Sequence, residues 1–402
     1  MNIEKNLGKQ FENAETEISP KEREEVFRQD ENELRHATGE CAGIESKHSI
    51  DPLRDSDKEL KQEHEHPGLY EKTDAKVYVT YACSAACKHC ATDWRGHTKE
   101  LGTAEDTEIR EKEIKEYLDK FKEAMRLYHE GGGRTILFTG GEPTEYPEKF
   151  FGMLKVLQDL KKSEGIDWNV LATYTNGVEW LKEVEYEGER KRVIDFLKEL
   201  ELKSVDLSAH HYDQKKRGEL SKSMGEVDVE KLVAELQQSN FQVRFQGTLN
   251  KDLIGSADDV SKYVKWVTAM GGQDIYLRNM FKVGKIGPDT TPGDQQKLRY
   301  ALERAVDLEQ IVTELQKNPD FEFIGTSERH SGYGTTYKFK YRPTGASVQL
   351  GDLTIGAEDP EKNTYFTFNP DGNVTRNMNI GGRKDFSEKS QHGAKTAQRL
   401  KK

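Results

Sequence analysis

From Lys76 onward the chain alternates between two patterns. Short apolar runs rich in β-branched and aromatic residues are followed by longer stretches with apolar residues three and four positions apart. The runs lie at 76–82, 134–139 (Arg-Thr-Ile-Leu-Phe-Thr), 168–175, 204–209, 241–249 and 273–280. The clearest helical stripe is Ile114, Tyr117, Leu118, Phe121, Met125 and Tyr128, stopped by the glycines at 131–133. Further helices are expected at 148–162, 189–200, 228–238, 257–270 and 294–317. A strand, a crossover and a second strand in series leave few packings open. The strands must run parallel, with right-handed crossovers and helices on the sheet. Six such units, with no clear seventh and eighth, predict an α/β fold, a partial (β/α)6 TIM-like barrel spanning about 76–318.

The flanks differ. Residues 1–75 are highly charged and poor in aliphatics, and are expected to form a partly helical or disordered extension, with a helix at 22–35. His64 and His66 lie there in a charged loop, and the lone Cys41 has no assigned role. In 319–380, Thr336-Tyr-Lys-Phe-Lys-Tyr341 alternates with period two, and Pro370-Asp-Gly-Asn373 is a strong turn, so a small β-rich appendage is expected. Residues 381–402 are expected to be a polar tail. The net charge is −11, which argues against nucleic acid or an anionic membrane as a partner. No run approaches the ~18 apolar residues of a membrane helix. The start, Met1-Asn-Ile-Glu-Lys-Asn, has no apolar signal region, so the expected location is the cytoplasm.

Cys83-Ser-Ala-Ala-Cys87-Lys-His-Cys90 follows the first strand directly. Four cysteines, three of them in one cluster, are not a disulfide framework, and in a reducing compartment they point to metal or catalysis. Three thiolates on one loop can hold three irons of a [4Fe–4S] cube and leave the fourth iron open. Zinc, with His89 or a distant residue as fourth ligand, is the alternative. The second strand ends in Thr139-Gly-Gly-Glu-Pro-Thr144, where glycines allow close approach of a ligand to the backbone and a carboxylate can accept from an ammonium.

The Cys-x3-Cys-x2-Cys loop, followed one strand later by Gly-Gly-Glu-Pro, resembles the radical SAM (S-adenosylmethionine) superfamily over about 76–285. That family usually has an aromatic residue where His89 stands. The resemblance implies that Cys83, Cys87 and Cys90 ligate one cluster, no further cysteine following Cys90. It implies that Gly140, Gly141, Glu142 and Pro143 bind the amino group of SAM. Thr175-Asn176-Gly177, Ser208 and Gln246, at or near later strand ends, are candidate SAM contacts. Arg278 and Asn279 lie where a SAM or substrate carboxylate can be held, with Arg244 as rival. His210 and His211 are substrate-site candidates. The implied chemistry is reductive cleavage of SAM to a 5′-deoxyadenosyl radical that takes hydrogen from a small-molecule or peptide substrate, fed by an external donor such as flavodoxin or ferredoxin.

Scattered segments resemble the lysine 2,3-aminomutase group: Asp51-Pro-Leu53, His66-Pro-Gly-Leu69, Gln246 and Ser331-Gly-Tyr333. Members of that group add pyridoxal phosphate on a lysine after a glycine run. Here Tyr341-Arg-Pro-Thr-Gly-Ala-Ser-Val348 has no lysine, and Lys338 and Lys340 lie nearby without that run. Pyridoxal phosphate is therefore not expected.

Overall fold

The computed structural model describes residues 74–90, 100–130, 132–280, 282–283, 292–328, 335–352, 354–355 and 366–375. The chain divides into units 1–67 and 68–402, and all described residues lie in the second. The expectations for the N-terminal extension, Cys41, His64, His66, 331–333 and the C-terminal tail fall outside the described residues.

All six core strands form where the alternation places them. They are β1 (Asp74–Thr80), β2 (Thr135–Gly140), β3 (Val170–Thr175), β6 (Ser204–Ser208), β7 (Gln242–Leu249) and β8 (Asp274–Asn279); a hairpin supplies β4 (Glu183–Tyr186) and β5 (Glu189–Arg192). The six pair side by side and parallel, in the order β1-β2-β3-β6-β7-β8, so all their C-terminal ends share one edge. The connecting helices are α1 (Thr107–Glu130), α2 (Pro147–Glu164), α3 (Val193–Glu199), the short α4 (Gln214–Leu220) and α5 (Lys222–Gly225), α6 (Val229–Gln238) and α7 (Ala257–Ala269).

Period-two alternation sorts the strand residues between two faces. Ile136, Phe138, Val205, Leu207, Phe245 and Ile275 are fully buried in the main core cluster, which also takes in the helices' apolar residues. Each such side chain contributes about 1.5–3 kcal/mol of transfer free energy. α1 supplies Tyr117, Phe121, Met125 and Tyr128 from one stripe. It starts seven residues before the stripe because Asp106 Oδ1 accepts from Ile109 N at 2.9 Å and caps it.

Two helical expectations change. The first part of 189–200 is the second strand of the hairpin, and the helix begins only at Val193. Glu187 and Gly188 take φ +51° and +79°, and consecutive positive values close a two-residue hairpin turn. The expected helix 294–317 is two, α8 (Pro292–Arg304) and α9 (Leu308–Lys317). Asp307 caps the second, accepting from Gln310 N at 3.0 Å.

The β-rich segment expected at 319–380 joins the core sheet at both edges. β10 (Phe321–Glu328), β11 (Thr335–Tyr341) and β12 (Ala346–Gly351) form an antiparallel meander, and β12 lies parallel to β8. At the other edge β14 (Phe366–Phe368) lies parallel to β1 and turns through 369–373 into β15 (Val374–Thr375). The result is one eleven-stranded sheet. A six-strand open sheet has two rows of unsatisfied backbone groups, and these strands cover them. A separate two-stranded pairing joins β9 (Lys282–Val283) to β13 (Thr354–Ile355). Among the described residues no helix is long and apolar enough to cross a membrane.

Candidate active site

The cysteine loop leaves the C-terminal end of β1 and is tied down from several sides. Glu100 accepts from Thr80 Oγ1 at 2.7 Å and from Tyr81 N at 2.8 Å, holding the point where the strand ends. Glu145 accepts from Ser84 N, and Ser221 Oγ donates to Ala85 O. Cys90 N donates to Cys87 O at 3.0 Å, and Ala86 takes φ +44°. The three thiols are half-buried and free of disulfides. Burial pushes Cys83 and Cys87 up to about 12, with the neighbouring cysteines adding to the shift and Glu142 and Glu145 adding at Cys83. Without metal these groups are thiols, so metal loading must release protons. Among the described residues no three His, Cys, Asp or Glu side chains converge on a point that suits a single ion. A cube asks something different of its ligands, one thiolate for each of three irons.

Gly-Gly-Glu-Pro works first as a joint. Gly141 N donates to Thr80 O at 2.7 Å, and Glu142 N to Ala82 O at 2.9 Å. A Cβ on Gly140 would fall 2.1 Å from Thr80 O, and one on Gly141 would fall 1.8 Å from Ala82 O. Only glycine lets these two main chains lie this close. The Glu142 side chain turns inward, where Oε1 accepts from Thr144 Oγ1 at 2.6 Å and Thr175 Oγ1 at 2.9 Å, and Oε2 from Asn176 N at 2.7 Å. Its burial raises the carboxyl pKa, and these donors oppose the shift. Glu142 therefore ties β2 to β3. Asn176 then directs Nδ2 to Cys83 Sγ at 3.7 Å, so the second, third and first strand ends form one unit.

The face of the strands opposite the core is polar. Asp206 and Ser208 on β6 stand in register with Arg244 and Gln246 on β7, and Gln246 with Tyr276 on β8. Asp206 binds Arg244, with Nε to Oδ1 at 2.7 Å and a second contact from Nη2 to Oδ2. Gln246 Nε2 is buried without a hydrogen-bond partner, and so is Arg278 Nε. Thr248 Oγ1 lies 3.3 Å from His89 Nε2 and 3.1 Å from His210 Nδ1, and the two rings meet edge to face at 4.7 Å. Burial lowers His89 to about 4 and His210 well below the usual range, so both rings are neutral.

The sequence candidates thus separate. Cys83, Cys87, Cys90, Gly140–Pro143 and Asn176 form one joined set, while Ser208, Gln246 and Arg278 line the adjoining polar face. Asn279 is structural: Nδ2 donates to Val306 O at 3.1 Å and Oδ1 accepts from Met280 N and Val306 N. His211 is buried, its Nδ1 accepting from Asp213 N at 2.8 Å. Arg244 is committed to Asp206. Lys338 and Lys340 stand exposed on β11. The sequence reading missed Glu100, Glu145, Ser221, Tyr174 and Thr248. Only Thr248 had a signal, two residues after Gln246 on the same strand face. A hollow lined by Leu157, Lys161, Asp167 and Trp168 sits at the N-terminal ends of β3 and β6, opposite the site.

A parallel α/β sheet that carries a three-thiol loop and a polar inner face at its strand ends is the layout of a metalloenzyme. Residues 77–249 match the family model of the Radical SAM superfamily. No curated protein matches the sequence. Similar solved structures include native anSMEcpe with bound AdoMet, at 15% identity and TM-score 0.39, covering 61% of each chain. Coproporphyrinogen III oxidase (HemN) from Escherichia coli matches at 14% identity and TM-score 0.39, over 64% of this chain and 56% of that one. A radical SAM methyltransferase from Sphaerobacter thermophilus matches at 17% identity and TM-score 0.35, over 56% and 61%. The chain thus spans about three fifths of the length of these relatives.

Proposed function

We propose that the enzyme holds one [4Fe–4S] cluster on Cys83, Cys87 and Cys90 and binds S-adenosylmethionine against the adjoining inner face of the sheet. The substrate would take up the rest of that face, where the radical chemistry supplied by the bound group would reach it. The observation that carries this reading is the group of buried, unpartnered polar atoms beside the thiol loop: Gln246 Nε2, Arg278 Nε and His89 Nδ1. A buried polar group left unpaired costs about 1–3 kcal/mol. Such atoms gathered beside three free thiols suit a ligand better than a core.

When bound, the reduced cluster and S-adenosylmethionine supply one-electron cleavage to a 5′-deoxyadenosyl radical. The chain supplies placement and enclosure. The segment Gly140–Pro143 would receive the amino end of the cofactor. Glu142 Oε1 is saturated, while Oε2 accepts only from Asn176 N and keeps a site for an ammonium beside the main-chain carbonyls of that segment. Asn176, Ser208 and Gln246 offer amide and hydroxyl groups to the remaining polar parts. The neutral His89 and His210, joined through Thr248, close the space next to Cys90 without adding charge. A low-potential donor such as flavodoxin or ferredoxin would deliver the electron. Pyridoxal phosphate has no lysine on the inner face of β11, where Lys338 and Lys340 are exposed.

Anaerobic reconstitution with iron, sulfide, dithionite and S-adenosylmethionine tests this reading. The expected result is about four irons per chain and release of 5′-deoxyadenosine. Zinc without sulfide in anaerobically purified protein would overturn it. So would a fully loaded cluster that neither binds nor cleaves S-adenosylmethionine.

A further inference from the structure

The two arginines of the inner face are not equivalent. Arg244 is matched by Asp206, its register neighbour, through two hydrogen bonds, and its charge is balanced where it stands. Among the described residues no hydrogen bond or ion pair joins Arg278 to a carboxylate; its side-chain hydrogen bond goes to Tyr174. Its Nε is sealed from solvent and makes no hydrogen bond. Its guanidinium carbon lies 4.6 Å from the ring centre of Tyr276 and 5.6 Å from that of Tyr174. Nη2 makes one long contact, 3.5 Å, to Tyr174 Oη. Tyr174 belongs to β3, and β6 and β7 lie between it and β8. Arg278 therefore reaches across the concave side of the curled sheet.

Tyrosine rings engage the faces of a guanidinium, but they leave its in-plane N–H groups to be met from the edge. That edge is a rigid fork, matched in geometry to the paired oxygens of a carboxylate or phosphate. A cation taken out of water without a counter-charge is costly to the fold, and an anion at the fork removes that cost. The position is also informative. Arg278 is the register partner of Thr248, whose hydroxyl contacts His89 beside Cys90, and His210. An anion held there shares the space next to the cysteine loop.

We infer that Arg278, flanked by Tyr174 and Tyr276, is the receptor for an anionic group on the substrate, a carboxylate or a phosphate, so that the enzyme acts on an organic anion. This rests on the radical SAM site proposed above and names its substrate class. Arg278 is then a specificity-determining residue: it fixes one end of the substrate, so that only a hydrogen at a set distance from the anion faces the cofactor. Recognition by a fork also discriminates strongly, because an analogue without the anion leaves the sealed Nε of the arginine unpaired.

The test titrates sodium propionate and, separately, inorganic phosphate into the reconstituted holoprotein by calorimetry, with and without saturating S-adenosylmethionine. One of the two anions is expected to saturate a single site in both states, and its identity distinguishes carboxylate from phosphate. Arg278→Met is expected to weaken that binding at least tenfold. Arg278→Lys should weaken it less, because an ammonium keeps the charge but loses the fork. The inference is overturned if neither anion binds the wild-type protein, or if binding is indifferent to Arg278→Met. It is also overturned if S-adenosylmethionine displaces the anion competitively, since Arg278 would then serve the cofactor. Repeating the titration on the metal-free protein separates the two readings. Failure to bind or cleave S-adenosylmethionine removes the proposed function, whereas failure to bind the anion removes only the role of Arg278.

Discussion

Gly141→Ala tests whether the Gly-Gly-Glu-Pro segment acts first as a joint. The added Cβ would stand 1.8 Å from Ala82 O and 2.4 Å from the Ala82 carbonyl carbon. Ordinary contact begins at 3.4 Å. The two main chains must therefore part by roughly 1.6 Å, and a packed interior has no slack of that size. Such a separation breaks the bonds from Gly141 N to Thr80 O and from Glu142 N to Ala82 O. Each is worth about 1 kcal/mol net, and each buried donor left unpaired adds about 1–3 kcal/mol, so a loss of about 4–8 kcal/mol is expected. For a domain of this size that lowers Tm by about 8–30 °C. Thr80 and Ala82 begin the loop that carries Cys83, so iron loading should fall with stability. Gly188→Ala is the control: φ is +79° there, but an added Cβ meets nothing within 4 Å. It should cost only about 1 kcal/mol. The assays are thermal unfolding and iron per chain after anaerobic reconstitution. If Gly141→Ala melts with Gly188→Ala and loads iron like the wild type, the joint is not what these glycines provide.

Lys149 is fully buried, makes no hydrogen bond, and lies 4.3 Å over the Tyr117 ring. Burial pushes its pKa down from 10.5 to about 8. The folded protein thus releases this proton before the unfolded chain does, so stability should rise with pH between about 8 and 10.5. Lys149→Met should flatten that rise and add about 1–3 kcal/mol at neutral pH, the charge cost less the cation–π contact; a wild-type-minus-variant difference that stays level across the window would refute this. Asp206→Asn leaves Arg244 without its counter-charge and should cost about 3–5 kcal/mol in denaturant unfolding; an unchanged midpoint would show that the pair is not buried in solution. Alanine at Cys83, Cys87 or Cys90 should abolish the visible absorption of the cluster, while Cys41→Ser should leave it intact; a cluster lost in Cys41→Ser would identify a fourth ligand.

The core strands are legible because a strand declares itself locally. Val77-Tyr-Val-Thr or Val205-Asp-Leu-Ser has the right side-chain types and sits between turn residues. The thiol loop and Gly-Gly-Glu-Pro are legible because each is contiguous and chemically uncommon. The β5 strand, Glu189–Arg192, is misread as the start of the helix expected at 189–200 because it is highly charged and only partly covered, which suits either state. The turn at Glu187-Gly188 was the available signal. The break between α8 and α9 rests on one capping aspartate, Asp307, a local feature that helical periodicity overrides.

Local sequence settled the order of the six core strands and the polarity of each strand face. These depend on interactions between residues close in the chain. Tertiary structure decided where distant groups meet. β12 and β14 cap the two edges of the core sheet because unsatisfied backbone groups there need partners, whichever segment supplies them. Glu142 gives its carboxylate to Thr144, Thr175 and Asn176 and so joins strands. Arg244 and Arg278 part company because register sets Asp206 beside the first but Thr248 and Gly351 beside the second, whose guanidinium meets the rings of Tyr174 and Tyr276. A charge acquires its meaning from its neighbours in space, and the chain's own order does not reveal them.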